Sequence, residues 1–261
     1  MRLAVIGHVE WVTFTNAPFM PAAGEIVHLT DPFDQPAAGG TVSALALARM
    51  GADVTFFTTL GPDTNSATII EGMGVRVVAA ERTRPQTRVL AVVDPNRDRT
   101  LFVVGENDHP TADDPLPWDE LAVMDGVYFT GQDPRTLQLA RAAPVVVVTA
   151  RRFDSLRRSG IRADALVGSG SDRGERFDLS ELEQQPDHVI VTDGARGGTG
   201  YSAVAPPGPV VDTYGAGDTF VAGVLFGMAS GWPMPQTLTF AATRAAECLT
   251  WRGAYPPGAD G

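Results

Sequence analysis

The chain has 261 residues, 44% of them hydrophobic, which is enough for one sizeable α/β domain and too little for two independent ones. Its formal net charge of -11 excludes non-specific attraction to nucleic acid or to an anionic membrane surface. A site for a phosphorylated ligand must then be built from local devices: helix N-termini, converging backbone amides or a metal ion.

Taken in chain order, short apolar runs predict buried strands at Leu3–Ile6, Val54–Thr58, Gly126–Phe129, Val145–Thr149, Ala165–Val167 and Val189–Thr192. Between them Thr41–Met50 and Ser66–Met73 read as helices closed by Gly51 and Gly74, and Leu137–Ala143 and Leu179–Gln184 as shorter ones. This alternation predicts a single α/β domain over 1–261 with a doubly wound, mostly parallel sheet. Two stretches, Val9–Thr30 and Arg88–Val104, instead show period-two patterning, the second turning at Pro95–Asn96. They predict a small sheet built from about 9–32 and 85–105, whose physical use is a lid that excludes water. The tail Tyr255–Gly261 reads as a loosely ordered terminus.

All basic side chains are arginine and lysine is absent, which excludes a GK[ST] phosphate loop, the strand lysine of protein kinases and a pyridoxal phosphate Schiff base. The single cysteine, Cys248, rules out an internal disulfide, and the segment MRLAVIGHVE reads as a strand rather than a secretory leader, so the expected location is cytoplasmic. The longest strongly apolar stretch, around Ala142–Ala150, is too short to span a bilayer and contains Pro144.

The chemistry concentrates in Val210–Gly231, read as a strand end, then DTYGAGDTF, then an apolar helix with Phe220, Val224, Leu225 and Met228 on one face. Gly215 and Gly217 put no side chain between backbone and ligand, so successive N–H groups can converge on an anion at the helix start. Asp218 falls in the first turn. As a plain N-terminal carboxylate it contributes about 0.3–1 kcal/mol against the helix dipole. As a base toward a reacting hydroxyl it is worth roughly 10²–10⁴-fold in rate.

The pattern D-x-x-G-A-G-D-x-F followed by an Ala/Gly-rich helix resembles the C-terminal signature of the ribokinase-like (PfkB) carbohydrate kinases. The resemblance implies a three-layer α/β fold with a small β-sheet lid. It also implies phosphoryl transfer from ATP to a hydroxyl of a sugar or related small molecule, with Asp218 as catalytic base and Gly215, Ala216 and Gly217 as the anion hole. Asp212 matches a residue beside a monovalent-cation (K+) site, although alone it reads as a turn residue. In VIVTDGARGG, Thr192, Gly194 and Gly197 match a T-x-G-x-x-G turn on the ATP side. Ser169 and Asp172 fall where the family has an N-x-x-E pair that arranges Mg2+, with Asp172 acting through metal-bound water.

In the N-terminal half Gly39, Gly40, Gly51, Gly61 and Asp63 match the family, while Val42 replaces a common asparagine. The early strand carries Glu10, with Val12 where an aspartate that grips sugar hydroxyls is usual. With Gly39, Gly40 and Asn107, Glu10 makes the expected acceptor side. Trp11, Phe14, Phe19 and Phe33 read either as stacking surfaces for a ligand or as lid packing. Many relatives dimerise through their lids, which implies a homodimer here. A nucleoside kinase and a ligand-binding protein that no longer turns over are the other readings. A Rossmann dehydrogenase is disfavoured, since neither GHVEWV nor AAGGTV supplies G-x-G-x-x-G.

Overall fold

The computed structural model describes residues 1–95 and 99–256. Its main sheet has seven strands in the order β11-β10-β9-β8-β1-β4-β5: β1 (Arg2–Ile6), β4 (Asp53–Leu60), β5 (Val75–Glu81), β8 (Gly126–Phe129), β9 (Val146–Thr149), β10 (Ala165–Ser169) and β11 (His188–Thr192). Every pairing in it is parallel. Parallel strands need crossovers, and α1 (Gly39–Arg49), α2 (Ser66–Gly72), α3 (Pro134–Ala140) and α4 (Phe153–Ser159) supply them. The last two helices, α5 (Ala216–Ala229) and α6 (Met234–Cys248), follow the final strand and pack against each other.

Strand alternation divides the core between the two faces of the sheet. Along β1, Leu3 and Val5 join the layer formed with α1, α5 and α6, while Ala4 and Ile6 join the layer under α3 and α4. On β9, Val147 faces the first layer and Val146 and Val148 the second. The predicted doubly wound α/β architecture is borne out, and both faces are covered, which is why these strands read as continuous apolar runs.

A second sheet stands apart, in the order β3-β2-β6-β7: β2 (Glu10–Asn16), β3 (Thr30–Ala37), β6 (Arg88–Val93) and β7 (Arg99–Val104). The pairs β2–β3 and β6–β7 are antiparallel, while β2–β6 is parallel. A polar clasp ties this sheet to the main one. The Asp63 carboxylate accepts the Gln86 amide (2.7 Å) and Arg88 (3.2 Å), and the Gln86 side chain accepts Gly61 N–H and donates to the Val9 carbonyl. Gly61 is needed there, because a Cβ would stand 2.4 Å from the Gln86 nitrogen.

Several local expectations need correction. Leu179–Gln184 is no helix but a 3-10 turn, Leu179–Glu181, started by the Asp178 carboxylate on the Ser180 amide. The segment before the GAGD motif is extended loop rather than a strand end, with Val211 N–H bonded to the Leu249 carbonyl instead of to a sheet. Strand β5 and helices α4 and α6 went unpredicted. The turn residue Asn96 and most of the C-terminal tail lie outside the described residues.

The α5–α6 contact is close because α5 presents glycine. A Cβ on Gly223 would lie 2.6 Å from Ala241 Cα, and one on Gly227 the same distance from Thr237 Oγ1. Gly223→Val is therefore expected to cost about 1–3 kcal/mol by overpacking. Urea unfolding measures it, and an unchanged midpoint would contradict this packing account.

Candidate active site

The main strands all point the same way, and their C-terminal ends open onto one crevice, where open α/β sheets bind ligands. From β1 the chain delivers Gly7 and His8, from β8 Thr130, from β9 Arg151 and Arg152, from β10 Ser169 and Asp172, and from β11 Thr192. The N-termini of α1 and α5 meet over this edge.

At α5 the N-cap is Gly215 in the left-handed region (φ 76), with no side chain capping the helix. The first intrahelical bond is Thr219 N–H to the Gly215 carbonyl at 2.8 Å. The preceding amides have no acceptor within the helix and carry the positive end of its dipole. Gly215 is required twice, by its φ and because a Cβ would lie 2.8 Å from Val42 Cγ1. That contact gives Val42 its role, a packing one. Gly217 differs: it is exposed, and nothing lies within 4 Å of where its Cβ would be. No packing reason makes it glycine.

Asp218, partly buried in the first turn of α5, reaches across to α1. Its Oδ1 stands 2.8 Å from where a Cβ on Gly39 would be, so the carboxylate occupies space that only glycine leaves open. The neighbouring Gly40 makes room for Phe56 and the His8 carbonyl. Ala38, just before α1, is held at φ 82 and donates its N–H to the Tyr214 hydroxyl at 3.2 Å. A non-glycine residue in that region costs of order 1–3 kcal/mol. Here the strain aims both helix N-termini at one point.

Burial pushes the Asp218 carboxyl above the ordinary carboxylate range, while Arg99, Arg151 and His8 act in the opposite sense and Glu10 adds to the rise. Arg99 comes from β7 of the small sheet, its guanidinium 5.0 Å over the Tyr214 ring. Arg151 is ion-paired with Asp172 and stands 3.5 Å from Glu175. Glu175, partly buried, accepts the Ser169 N–H at 2.7 Å, and its carboxyl too is raised, chiefly by burial.

Asp212 uses both oxygens on backbone amides, accepting Tyr214 N–H of its own loop at 2.9 Å and Gly253 N–H, past α6, at 3.0 Å. Asp172 accepts the Gly174 amide and Arg151. Thr192 ends β11, and Gly194 and Gly197, both with positive φ, turn the chain back so that Thr192 bridges Gly198. A Cβ on Gly197 would meet the Tyr201 carbonyl oxygen at 2.6 Å.

On the other side of Asp218, Glu10 and His8 are buried with Nε2···Oε1 at 3.3 Å. The His8 ring lies 4.4 Å from that of His109. Asn107 shares the His109 segment, and its Oδ1 is buried without a partner. Arg82 and Arg84 fix that segment by clasping Asp108. Phe14 and Phe33 stack on each other, and Phe14 packs edge-on to Tyr214, so these aromatics are engaged under the small sheet, whereas Phe19 is exposed.

The strand ends that carry these residues lie along one edge of the sheet, and Asp218 and Gly39 are in contact. Sequence reasoning missed His8, Arg99, His109, Arg151, Arg152 and Glu175. The tandem arginines directly after the β9 apolar run, and Glu175 three residues past Asp172, were the available signals.

The sequence profile described as pfkB family carbohydrate kinase matches residues 164–259. An acarbose 7(IV)-phosphotransferase of Actinoplanes is 44% identical over 72 residues, 24% of each chain. An ATP-dependent ribose-1-phosphate kinase of Halopiger xanaduensis is 29% identical over 257 residues, 86% of this chain and 84% of that protein. The first curated relatives are matched over only about a quarter to a third of their length. Among solved structures, a ribokinase from Thermotoga maritima superposes with a TM-score of 0.79 at 18% identity, covering 97% of this chain and 94% of that one. The pfkB family carbohydrate kinase profile thus matches the C-terminal third of the chain, and the fold along its whole length is that of the ribokinases.

Proposed function

We propose that the chain is an ATP-dependent kinase that phosphorylates a hydroxyl of a sugar or related small molecule, with Asp218 as the base. The observation that carries this reading is the Asp218 carboxylate lying against Gly39 beside the uncapped start of α5. An acceptor resting on Gly39 and Gly40 then has its hydroxyl at Asp218, and the phosphoryl group it attacks rests on the amides of Gly215, Ala216 and Gly217. The acceptor oxygen forms a bond to the γ-phosphorus, the bond from that phosphorus to the β–γ bridging oxygen breaks, and the hydroxyl proton passes to Asp218. The open space over Gly217 suits an oxygen approaching the backbone.

Thr192, Gly194 and Gly197 line the nucleotide side, and Glu10 and Asn107 the acceptor side. Asp172, Ser169 and Glu175 are the oxygen groups that would hold Mg2+ through water, with Arg151 pairing both carboxylates in this structure. When bound, Mg2+ neutralises charge on the donor phosphates. Asp212, with both oxygens on backbone amides, shapes the loop from which a K+ site would draw its carbonyls. With no lysine in the chain, Arg99 and Arg151 are the cations that face the phosphoryl group. Arg99 arrives on the small sheet, so closing that sheet as a lid completes the charge.

The acceptor is assigned to the sugars because the relatives named above phosphorylate carbohydrates, and because Phe14 and Phe33 are occupied by each other rather than free to stack on a nucleobase. The exposed apolar residues Leu101, Phe102, Val103 and Val104 of β7 suit a homodimer formed through the small sheets. No helix among the described residues is long and apolar enough to cross a membrane.

Asp218→Asn is expected to keep ATP binding and lower turnover by roughly 10²–10⁴-fold. ADP release across a sugar panel measures this, and near-normal turnover would remove Asp218 from the mechanism. Because the base works ionised and burial raises its carboxyl, kcat/KM should fall on acidification with a midpoint above the ordinary aspartate value of about 3.9. A midpoint at or below that value contradicts the burial account.

The same shift has a stability consequence. A raised folded-state value means the native chain holds the proton more tightly than the unfolded chain, so its contribution is favourable at low pH and is lost as pH rises through the folded value. At pH 7 the ionised carboxylate is a cost. Asp218→Asn should accordingly raise the thermal midpoint at pH 7, by an amount that shrinks on acidification, and an unchanged or lowered midpoint would refute it.

A further inference from the structure

Arg152 closes the 3-10 turn Ala150–Arg152 at the end of β9, on the floor of the crevice, and is partly buried. Its Nε donates to the Thr130 carbonyl at 2.9 Å and its terminal nitrogen lies 3.1 Å from His109 Nε2. Both partners are neutral. Burial holds His109 far below the ordinary histidine range, and with Nε2 accepting from Arg152 its proton sits on Nδ1. Arg82, Arg135 and Arg151 each meet carboxylates, whereas Arg152 has none within 4.0 Å among the described residues.

The surroundings carry further unused capacity. His8 and His109 are 7% and 5% exposed, and the Nδ1 of each is buried with no hydrogen-bond partner. A cation largely removed from water with its nearby carboxylate, Glu10, too far for an ion pair is costly, and buried polar atoms without partners are uncommon enough to call for a reason. Arginine is also the side chain that best matches the planar oxygen pairs of carboxylate and phosphate.

The place of this group fixes what it can touch. Thr130, whose carbonyl holds Arg152, has its Oγ1 3.8 Å from where a Cβ on Gly39 would be, the same point that lies 2.8 Å from Asp218 Oδ1. Arg152 and Asp218 therefore flank one space above Gly39, with the His8 ring beside His109 and Glu10 within electrostatic reach of both Arg152 and Asp218. Asp218 and Glu10 suit hydroxyl groups, whereas the Arg152 guanidinium, hydrogen-bonded among the described residues only to a carbonyl and a neutral histidine, suits an anion, so the two ends of that space ask for different chemistry.

We propose that Arg152, with His109, is the specificity determinant for an acceptor that carries an anionic group, a phosphate or a carboxylate, at the end remote from the hydroxyl facing Asp218. This rests on the kinase reading for the identity of the crevice. The acceptor class is thus a sugar phosphate or a sugar acid rather than a neutral sugar.

Calorimetric binding without nucleotide tests it on the full chain. One arm uses ribose 1-phosphate and ribose 5-phosphate against ribose; the other uses gluconate and other five- to seven-carbon aldonates against their neutral parents. At least one anionic sugar is expected to bind ten-fold or more tightly than its neutral parent, and the arm in which it does so identifies the anion. Arg152→Gln should weaken that binding roughly 10- to 100-fold, the loss of one to two charge-assisted contacts, and Arg152→Lys should weaken it less. ATP affinity, carried by the opposite end of the crevice, reports that both variants are folded.

Neutral sugars binding as tightly as anionic ones, no anionic sugar binding at all, or an anion preference that survives Arg152→Gln in folded protein would each overturn the proposal. None of these outcomes touches the kinase reading, which ADP release decides. Absence of ATP turnover with anion binding intact would strike that reading alone.

Discussion

The space left by the missing side chain of Gly39 is the constraint on which the rest of the site depends. Asp218 Oδ1 lies 2.8 Å from where that Cβ would be, so the first turn of α5 can rest on the first turn of α1 only while residue 39 is glycine. The Tyr214 hydroxyl on the Ala38 amide, the positive φ of Ala38, the left-handed Gly215 and the Val42 side chain beneath it all serve the same contact. Two helix N-termini, each with unsatisfied amides, are brought to one point beside a carboxylate. The arrangement is electrostatically mixed by design of the backbone, with the helix dipoles positive and the side chain negative.

The wider fold supplies the two things this contact cannot. The parallel sheet ends its strands along one edge, so residues as far apart in the chain as Gly7 and Thr192 reach the crevice without long loops. The small sheet, clasped at Gly61, Asp63 and Gln86, carries Arg99 to Tyr214 and within electrostatic reach of Asp218. In a lysine-free chain with a net charge of -11, placing Arg99, Arg151 and Arg152 at this edge offsets locally a field that is repulsive overall. Cys248 contributes from behind: buried, its thiol donates to the Tyr214 carbonyl at 3.3 Å, and burial pushes it up to about 11. It braces the loop as an uncharged group.

Much of this was legible in the sequence for identifiable reasons. Strands buried on both faces, such as Val146–Thr149, read as unbroken apolar runs, and GAGD announced both a helix start and its carboxylate. The edge strand β5 did not stand out, because its exposed and half-buried positions break the apolar run. Helix α6 was hidden by Thr237, Thr239 and Thr243, polar residues that weaken a helical stripe while their hydroxyls bond back along the backbone. The segment after β10 was read as far as Ser169 and Asp172, yet Glu175 is the carboxylate whose burial raises it. Arg99 and Arg152 were invisible for a different reason: nothing local marks an arginine whose partners are a distant ring, a carbonyl and a histidine from another loop. Such groups are specified by topology rather than by spacing.

The central claim is that one carboxylate and three backbone amides define the path of a phosphoryl group. A crystal structure of the chain with ADP, magnesium, a planar trifluoride mimic of the transferring group and a bound acceptor tests it most directly. The account predicts the trifluoride seated on the amides of Gly215, Ala216 and Gly217, with an acceptor oxygen within hydrogen-bond distance of Asp218 above Gly39. A trifluoride held elsewhere, with Asp218 facing no acceptor oxygen, would contradict it.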